Sequence, residues 1–372
     1  MKVATSIVLG NQATPGLAAE AVSQAMQKAG ITVANSVLLL LTSEFASDPQ
    51  PAIRAAAKTA SCIQVMGCSA TGIFTEEDWV LDAPAAAAMV FGDAVTLQLP
   101  NLNHAHQPLF TLTAPNAINS TWLNDGNARF GGVSGDAIGQ GSFSVWKNAK
   151  AEVSGYAEAF FTGVEVATKA SHGLQLLTHP QKIQQVNGFN ITLLDNQAPL
   201  IALQKAWKMH SKSDEPLPLH LVMATYATNA KAIMRGEYNQ TTLIGYEENG
   251  GSITLAQPLE AGQYLSWGLR DKTVAEADMT LISHQLIQSL GCAPDFGLLF
   301  SCLGRGPYFY GGIDRDLKVL TQQLPNMPLL GFYGNGEIAS IQGINQLLPY
   351  SAVLSLFAAQ QTHTQESNHE SI

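Results

Sequence analysis

Apolar residues in the first hundred positions follow helical spacing in some stretches and form continuous runs in others. Leu17, Val22 and Met26 recur on one helical face, and Gly30 after them is typical of a helix C-terminus. The uninterrupted apolar run 37–41 is typical of a strand buried on both faces of a sheet. The pattern as a whole predicts helix 17–29, strand 37–41, a helix that begins near 47–49, strand 62–67 and strand 85–91.

The same order of elements returns near the end of the chain. There the pattern predicts helix 274–290, strand 296–300, helix 313–323, strand 328–333 and strand 351–357. The interval from Gly67 to Gly72 equals that from Gly331 to Gly336. We expect an α/β fold, with α+β as the alternative, built from two related layered lobes with mixed sheets and an internal pseudo-repeat. The other explanation of the matched spacing is that both segments are α/β structures that did not arise by duplication.

The length of the chain indicates more than one domain, because single cores rarely grow past roughly 250–300 residues and this chain has 372. We predict a first lobe over 1–195 and a second lobe over 196–358. The polar residues 359–372 are expected to form a disordered tail.

Charge and cysteine content disfavour several classes of partner. The net charge is −10 and the lysines and arginines form no cluster, which disfavours nucleic acid and anionic membrane surfaces. The four cysteines show no C-x-x-C pair and no disulfide framework, which indicates a reducing compartment. The N-terminus lacks the apolar stretch of a signal peptide, and the longest apolar run is too short to cross a bilayer. A cytoplasmic location is therefore expected.

Two glycine-bearing segments of the first lobe are candidate ligand contacts. The first contains Gly67, Cys68 and Ser69, and it resembles both a phosphate loop and a nucleophile elbow. It lacks the Lys-Ser/Thr of the former and the final glycine of the latter. The second segment contains Gly131 and Gly132, which could bring the backbone close to a ligand. For both segments a tight turn between packed strands is the structural alternative.

A denser group of functional side chains follows two predicted strands of the second lobe. Strand 296–300 leads into Cys302, Arg305 and Gly306, where a guanidinium and flexible backbone can hold a carboxylate or phosphate. If the next strand, 328–333, is its neighbour, the residues at both carboxyl ends converge at one rim of the sheet. The candidates that this second strand adds are Tyr333, Asn335 and Glu337.

Each of these residues also has a simpler structural interpretation. Arg305 and Glu337 could form a structural ion pair, with Cys302 as an inert core residue. Cys302 as a nucleophile is a further hypothesis, although the sequence offers no obvious histidine beside it. His172 is a candidate haem ligand, for which a satisfied structural histidine is the alternative. No other metal ligand is predicted.

The chain resembles the FIST domain family. The first lobe, with its segment 67–72 and the pair Gly131-Gly132, resembles the N-terminal FIST domain. The end of the chain resembles the C-terminal FIST domain through C-x-G-R-G at 302–306 and G-x-x-x-x-G-E-I at 331–338. The resemblance implies a FIST N-type lobe and a FIST C-type lobe in a free-standing form, without an attached kinase, cyclase or F-box.

The resemblance also implies a sensory module whose proposed ligands are small molecules such as amino acids. Family members occur with histidine kinases, chemotaxis receptors and cyclic-di-nucleotide enzymes, and some bind haem and report nitric oxide to a partner kinase. The first hypothesis is a small-ligand sensor that signals through a partner, with no catalytic residue and no resident cofactor. On this hypothesis Arg305 takes a ligand carboxylate and Glu337 its ammonium group.

Two alternatives remain open from the sequence. One is a haem-binding nitric oxide sensor that regulates a partner histidine kinase or cyclic-di-GMP enzyme, with His172 on the iron. The second is a cysteine-dependent enzyme that uses Cys302.

Overall fold

The computed structural model describes residues 1–100, 107–136, 138–211 and 215–360. Residues 361–372 of the predicted tail lie outside the described residues. The helices within the described ranges are α1 (Pro15–Ala29), α2 (Gln50–Ala60), α3 (Ser120–Leu123), α4 (Pro199–Ser211), α5 (Ala230–Met234), α6 (Lys272–Leu290), α7 (Pro307–Tyr310) and α8 (Arg315–Gln323).

The strands make up most of the regular structure between these helices. They are β1 (Val3–Leu9), β2 (Ser36–Thr42), β3 (Val65–Ala70), β4 (Gly72–Thr75), β5 (Trp79–Leu81), β6 (Ala85–Phe91), β7 (Thr96–Gln98), β8 (Leu109–Thr113), β9 (Arg129–Val133), β10 (Val145–Lys147), β11 (Lys150–Ala151), β12 (Tyr156–Thr162), β13 (Val164–Ser171), β14 (Leu174–Leu176), β15 (Gln181–Asn187), β16 (Asn190–Leu194), β17 (Val222–Ala227), β18 (Asn239–Tyr246), β19 (Ile253–Leu255), β20 (Tyr264–Arg270), β21 (Phe296–Cys302), β22 (Leu329–Gly334), β23 (Glu337–Ile341), β24 (Ile344–Leu348) and β25 (Ala352–Ala359).

Two of the sheets have the same arrangement, which confirms the predicted α/β class with mixed sheets and an internal pseudo-repeat. The first sheet has the order β1-β6-β2-β3-β10-β11, and the second has the order β13-β25-β21-β22-β4-β5. Each contains one parallel pair, β2–β3 in the first and β21–β22 in the second. The registers also agree, because Leu39 lies opposite Gly67 and Leu299 lies opposite Gly331.

The other two sheets each contain strands from both halves of the chain. A third sheet has the order β24-β23-β9-β8-β12-β7, and a fourth has the order β14-β20-β15-β16-β19-β18-β17. The fourth sheet closes on itself through an additional β17–β20 pairing. Among the described strands, the second, third and fourth sheets each combine elements from before and after residue 195.

An aromatic core lies where the first three sheets face one another. The rings of Phe296 and Phe357 stack with centroids 4.4 Å apart, and Phe161 packs on both. Phe91 and Phe110 extend this cluster toward the first and third sheets. Burial of so much aromatic surface stabilises the contact between the two halves.

The described part of the chain contains no helix with the combined length and apolar character that a membrane crossing requires.

Candidate functional site

The Arg305 side chain is buried and hydrogen-bonded to protein groups. It lies in the turn after β21, is 1% exposed, and pairs with Asp316 of α8 through Nε–Oδ2 (2.8 Å) and Nη2–Oδ1 (3.1 Å). Its Nη1 donates to the Ser171 carbonyl (2.8 Å), and its Nη2 donates to Ser171 Oγ (2.6 Å) and the Ala275 carbonyl (3.0 Å). The guanidinium therefore joins β13, α6 and α8, and its carboxylate partner is Asp316.

Tyr333 lies in the same buried polar cluster. Its hydroxyl donates to Asp314, and the Tyr310 hydroxyl donates to Asp316 Oδ1 at 2.8 Å. Burial, together with the neighbouring Asp316, raises the pKa of Asp314 to about 6. Tyr333 thus contributes to the interior of the second lobe.

Glu337 and Cys302 lie near each other in the interior. Glu337 Oε2 accepts a hydrogen bond from Ser351 Oγ (2.8 Å), whereas Oε1 has no partner among the described residues. Burial raises the pKa of Glu337 well above its usual range. Burial and the neighbouring Glu337 raise the pKa of Cys302 to about 12. A nucleophilic cysteine needs a low thiol pKa, so this environment does not support the nucleophile hypothesis.

The last two candidates of the second lobe lie at the end of the parallel pair. β21 and β22 are neighbours, with Cys302 opposite Gly334, so the structure brings the two groups to one edge of the sheet. Gly306 packs closely on the Tyr333 ring. Asn335 is exposed, and its backbone N–H donates to the Val133 carbonyl at 3.0 Å.

The glycines of the first lobe allow strands to pack closely. A Cβ at Gly67 would lie 1.7 Å from the Leu39 carbonyl oxygen, and one at Gly131 would lie 1.8 Å from that of Thr111. A Cβ at Gly132 would lie 2.5 Å from a ring atom of the second lobe. These positions therefore serve close contacts between strands and between lobes.

Cys68 and Ser69 belong to β3 rather than to a turn, because the strand continues to Ala70. Ser69 Oγ lies 3.1 Å from Ser134 Oγ and accepts from the Ser144 backbone N–H at 3.0 Å. Burial raises the pKa of the Cys68 thiol. Both residues contact the interior of the first lobe.

A cavity of about 780 Å³ opens between β9, β13, α5, α6 and β23. This volume falls within the range of small-molecule sites. Apolar side chains of β13 and α6 form much of its wall. The chargeable and aromatic polar residues in its lining are Arg129, Lys169, His172, Arg235, Glu237, Tyr238 and Asp278.

His172 is a neutral base at the wall of this cavity. The amide of Gln240 donates through Nε2 to the Pro349 carbonyl, so its Oε1 faces His172 Nδ1 at 3.0 Å and accepts the Nδ1 proton. The Nε2 atom is then unprotonated. Burial lowers the pKa of His172 to about 4, and its ring stacks on Tyr238 at 4.4 Å.

Asp278 is a cavity-lining residue that sequence analysis missed. Its Oδ2 accepts hydrogen bonds from Ser171 Oγ (2.8 Å) and the Gly173 backbone N–H (3.1 Å). A signal was present, because Val274, Asp278 and Ile282 follow one another at four-residue spacing in a predicted helix. An aspartate inside an apolar helical stripe indicates a polar group turned toward a neighbouring element or a ligand.

Residues 201–340 match the family model described as FIST C domain. The chain carries a FIST C domain. This match confirms the predicted family and indicates a sensory domain. The assignment of 1–195 to a FIST N-type lobe stays a prediction.

Mycobacterial proteins are among those similar to this chain. The uncharacterized protein Rv0628c of Mycobacterium tuberculosis (strain H37Rv) is 26% identical over 368 residues, which cover 91% of this chain and 95% of that protein. The uncharacterized protein Mb0898c of Mycobacterium bovis is 26% identical over 234 residues, covering 62% of this chain and 61% of that protein. The first similarity therefore includes most of the chain.

The FIST C domain supplies only part of the cavity. Among the lining residues, the matched range includes Asp278 and Tyr238, whereas Lys169 and His172 lie before it. β13 carries Ser171 and lines the cavity, so the FIST C domain and the preceding segment build this site together.

Proposed function

We propose that this protein is a small-ligand-binding sensory protein whose ligand occupies the cavity beside His172. The observation that carries the proposal is the cavity itself, which combines apolar walls with acidic, basic and aromatic groups and has about half of its lining residues in the FIST C domain. An amino acid or a similar small zwitterion or anion fits this mixture. The predicted assignment of ligand contacts to the residues around Arg305 stays a prediction, and the cavity is the alternative location.

The proposal includes an output partner and a compartment. A ligand-induced change would act on a partner such as a histidine kinase or a cyclic-di-nucleotide enzyme, as the family resemblance implies. The four cysteines, Cys62, Cys68, Cys292 and Cys302, are all free thiols, which supports a reducing compartment such as the cytoplasm.

A thermal-shift screen of amino acids on the full chain tests the proposal. We expect at least one amino acid to raise the melting temperature in a concentration-dependent way, because ligands that bind the native state stabilise it. Ala277→Trp places a large ring at the exposed mouth of the cavity and should abolish that shift. His284→Trp, on α6 but away from the cavity lining, is the matched control. A shift that survives Ala277→Trp, or no shift with any amino acid, would contradict the proposal.

A haem-binding gas sensor is the second candidate, and the geometry of His172 favours it. Histidines that ligate metals typically donate Nδ1–H to an oxygen acceptor, which leaves Nε2 for the metal, and Gln240 provides that acceptor here. Bound haem would supply an iron atom able to bind a diatomic gas. Val166 and Leu174 belong to the apolar wall that would contact the porphyrin.

An absorption spectrum of the purified protein, followed by haem titration, tests this candidate. We expect a Soret band that is lost in His172→Ala and kept in His284→Ala, because only His172 lines the cavity. A protein that does not respond to haem, or a Soret band unchanged in His172→Ala, would exclude His172 as the ligand.

A further inference from the structure

The two arginines that line the cavity are already paired with carboxylates. Arg129 forms ion pairs with two carboxylates at 2.7 and 2.8 Å, and Arg235 pairs with Glu237 at 2.8 Å. Lys169 donates to a glutamine side chain. Asp278, in contrast, forms no ion pair with any described residue, although it is half-buried and lines the same cavity. The Arg305 guanidinium acts on Asp278 electrostatically, but it is paired with Asp316 and separated from Asp278 by Ser171, so this partly desolvated carboxylate still favours a cationic ligand group.

The two oxygens of Asp278 have different surroundings. Oδ2 accepts from Ser171 Oγ and from the Gly173 backbone, while Oδ1 accepts no hydrogen bond from the described residues. Asp278 thus bonds to the residues on either side of His172, whose Nε2 is a second unprotonated acceptor. The Tyr238 hydroxyl, on a residue that is 6% exposed, also lacks a partner in the described part of the chain. These acceptors match a group with several N–H donors.

The orientation of the Ser171 hydroxyl follows from its two partners. Arg305 Nη2 lies 2.6 Å from Ser171 Oγ, and a guanidinium can only donate. The hydroxyl hydrogen must therefore go to Asp278 Oδ2, 2.8 Å away. Arg305 is itself held by both oxygens of Asp316. The buried ion pair fixes Ser171, and Ser171 occupies Oδ2 of Asp278, so that Oδ1 is the oxygen left for a ligand.

We propose that the cavity binds the protonated amino group of its ligand through Asp278, and that Ser171 and Arg305 are positioning residues for this carboxylate. The inference rests on the proposed function and specifies which ligand group the inner wall recognises. It reverses part of the sequence-based assignment, because Arg305 acts on a ligand ammonium through Ser171 and Asp278 instead of contacting a ligand carboxylate.

Calorimetric titration of the full chain with three probes that share one isobutyl group tests the ligand class. The probes are L-leucine, 3-methylbutylamine and 4-methylpentanoate. We expect the two amines to bind at least about tenfold more tightly than the acid, as expected for a hydrogen bond to a charged group. Asp278→Asn should remove this preference. Glu276→Gln, which makes the same change on the exposed side of α6, should keep it.

The Ser171 variants test the positioning role, since loss of Arg305 could unfold the protein. Ser171→Ala should lower the affinity for 3-methylbutylamine severalfold while leaving that for 3-methylbutanol unchanged, and Ser171→Thr should restore the amine affinity. A general structural defect would weaken both probes equally and would overturn the positioning role.

The remaining outcomes separate this inference from the proposed function. If 4-methylpentanoate binds more tightly than the two amines, or if Asp278→Asn leaves amine binding unchanged, the amine site is overturned while a ligand cavity remains. Absence of binding by all three probes also overturns it. The proposed function fails if the amino-acid screen is also negative, or if its thermal shift survives Ala277→Trp.

Discussion

The role of Arg305 depends on which carboxylate lies next to it in the folded chain. From the sequence, a guanidinium at the end of a strand is a candidate anion site. In the structure Asp316 occupies it, and removal of either partner would leave an uncompensated buried charge, which typically costs about 3–5 kcal/mol. The functional contribution of Arg305 is therefore indirect, through Ser171.

His172 gives a pH-dependent prediction at the residue scale. Because burial lowers its pKa to about 4, only the unfolded chain binds a proton at this site between about pH 6.5 and pH 4. This histidine therefore stabilises the fold less as the pH falls. The free energy of unfolding of wild type, minus that of His172→Gln, should decrease by about 1 kcal/mol between pH 7 and pH 5.5. Urea unfolding at both pH values measures it.

The comparison is made between variants because other buried groups also titrate in this window. Asp314, whose pKa is raised to about 6, acts in the opposite direction but is present in both proteins. His284→Gln, on the exposed side of α6, serves as the control and should parallel wild type. Parallel profiles for wild type and His172→Gln would contradict the prediction.

At the scale of elements, local signals predicted the type of each element better than its ends. The helix predicted from 274 begins at Lys272, because Asp271 caps it with hydrogen bonds to two backbone N–H groups. Likewise the predicted helix 313–323 begins at Arg315, because Asp314 accepts from the Leu317 N–H. In both helices the hydrogen bonds of the N-cap side chain determine the first helical residue.

Strand β3 is the element for which the prediction was shifted. The predicted strand 62–67 is observed at Val65–Ala70, so the predicted turn 67–72 is mostly strand. Gly67 suggested a turn, but its lack of a side chain instead lets β2 approach, with the Leu39 carbonyl 1.7 Å from the place of a Cβ. A glycine required by a neighbouring strand cannot be distinguished locally from one required by a turn.

The pseudo-repeat predicts equal sensitivity at its two matched glycines. A Cβ at Gly331 would lie 2.1 Å from the Leu299 carbonyl oxygen, much as Gly67 faces Leu39. We expect Gly67→Ala and Gly331→Ala each to lower the free energy of unfolding by about 3 kcal/mol or more, through overpacking against backbone. Urea unfolding checks this.

Gly245→Ala in β18 is the matched control, because nothing lies within 4 Å of its added Cβ. We expect it to change stability by no more than about 0.5 kcal/mol. If Gly67→Ala or Gly331→Ala were equally mild, the close approach of strands would not be what fixes these glycines.

At the scale of the whole molecule, the two halves complete each other's sheets. β4 and β5 extend the sheet of the second repeat, and β23 of the FIST C domain pairs with β9 of the first half. The cavity lies among elements of both halves. A ligand bound there contacts elements far apart in sequence, which suits a site whose occupancy must be reported elsewhere in the molecule.

The sequence by itself determined the α/β class, the order of helices and strands within the two repeats, the pseudo-repeat and the family, because these depend on periodicity and local motifs. It also drew attention to His172 and Arg305. Only the tertiary structure decided that Asp316 pairs with Arg305, that Ser171 links this pair to Asp278, and that a cavity forms beside β13. Hydrogen-bond partners and cavities arise from side chains brought together across long sequence separations, and no local pattern records which of several carboxylates will be nearest.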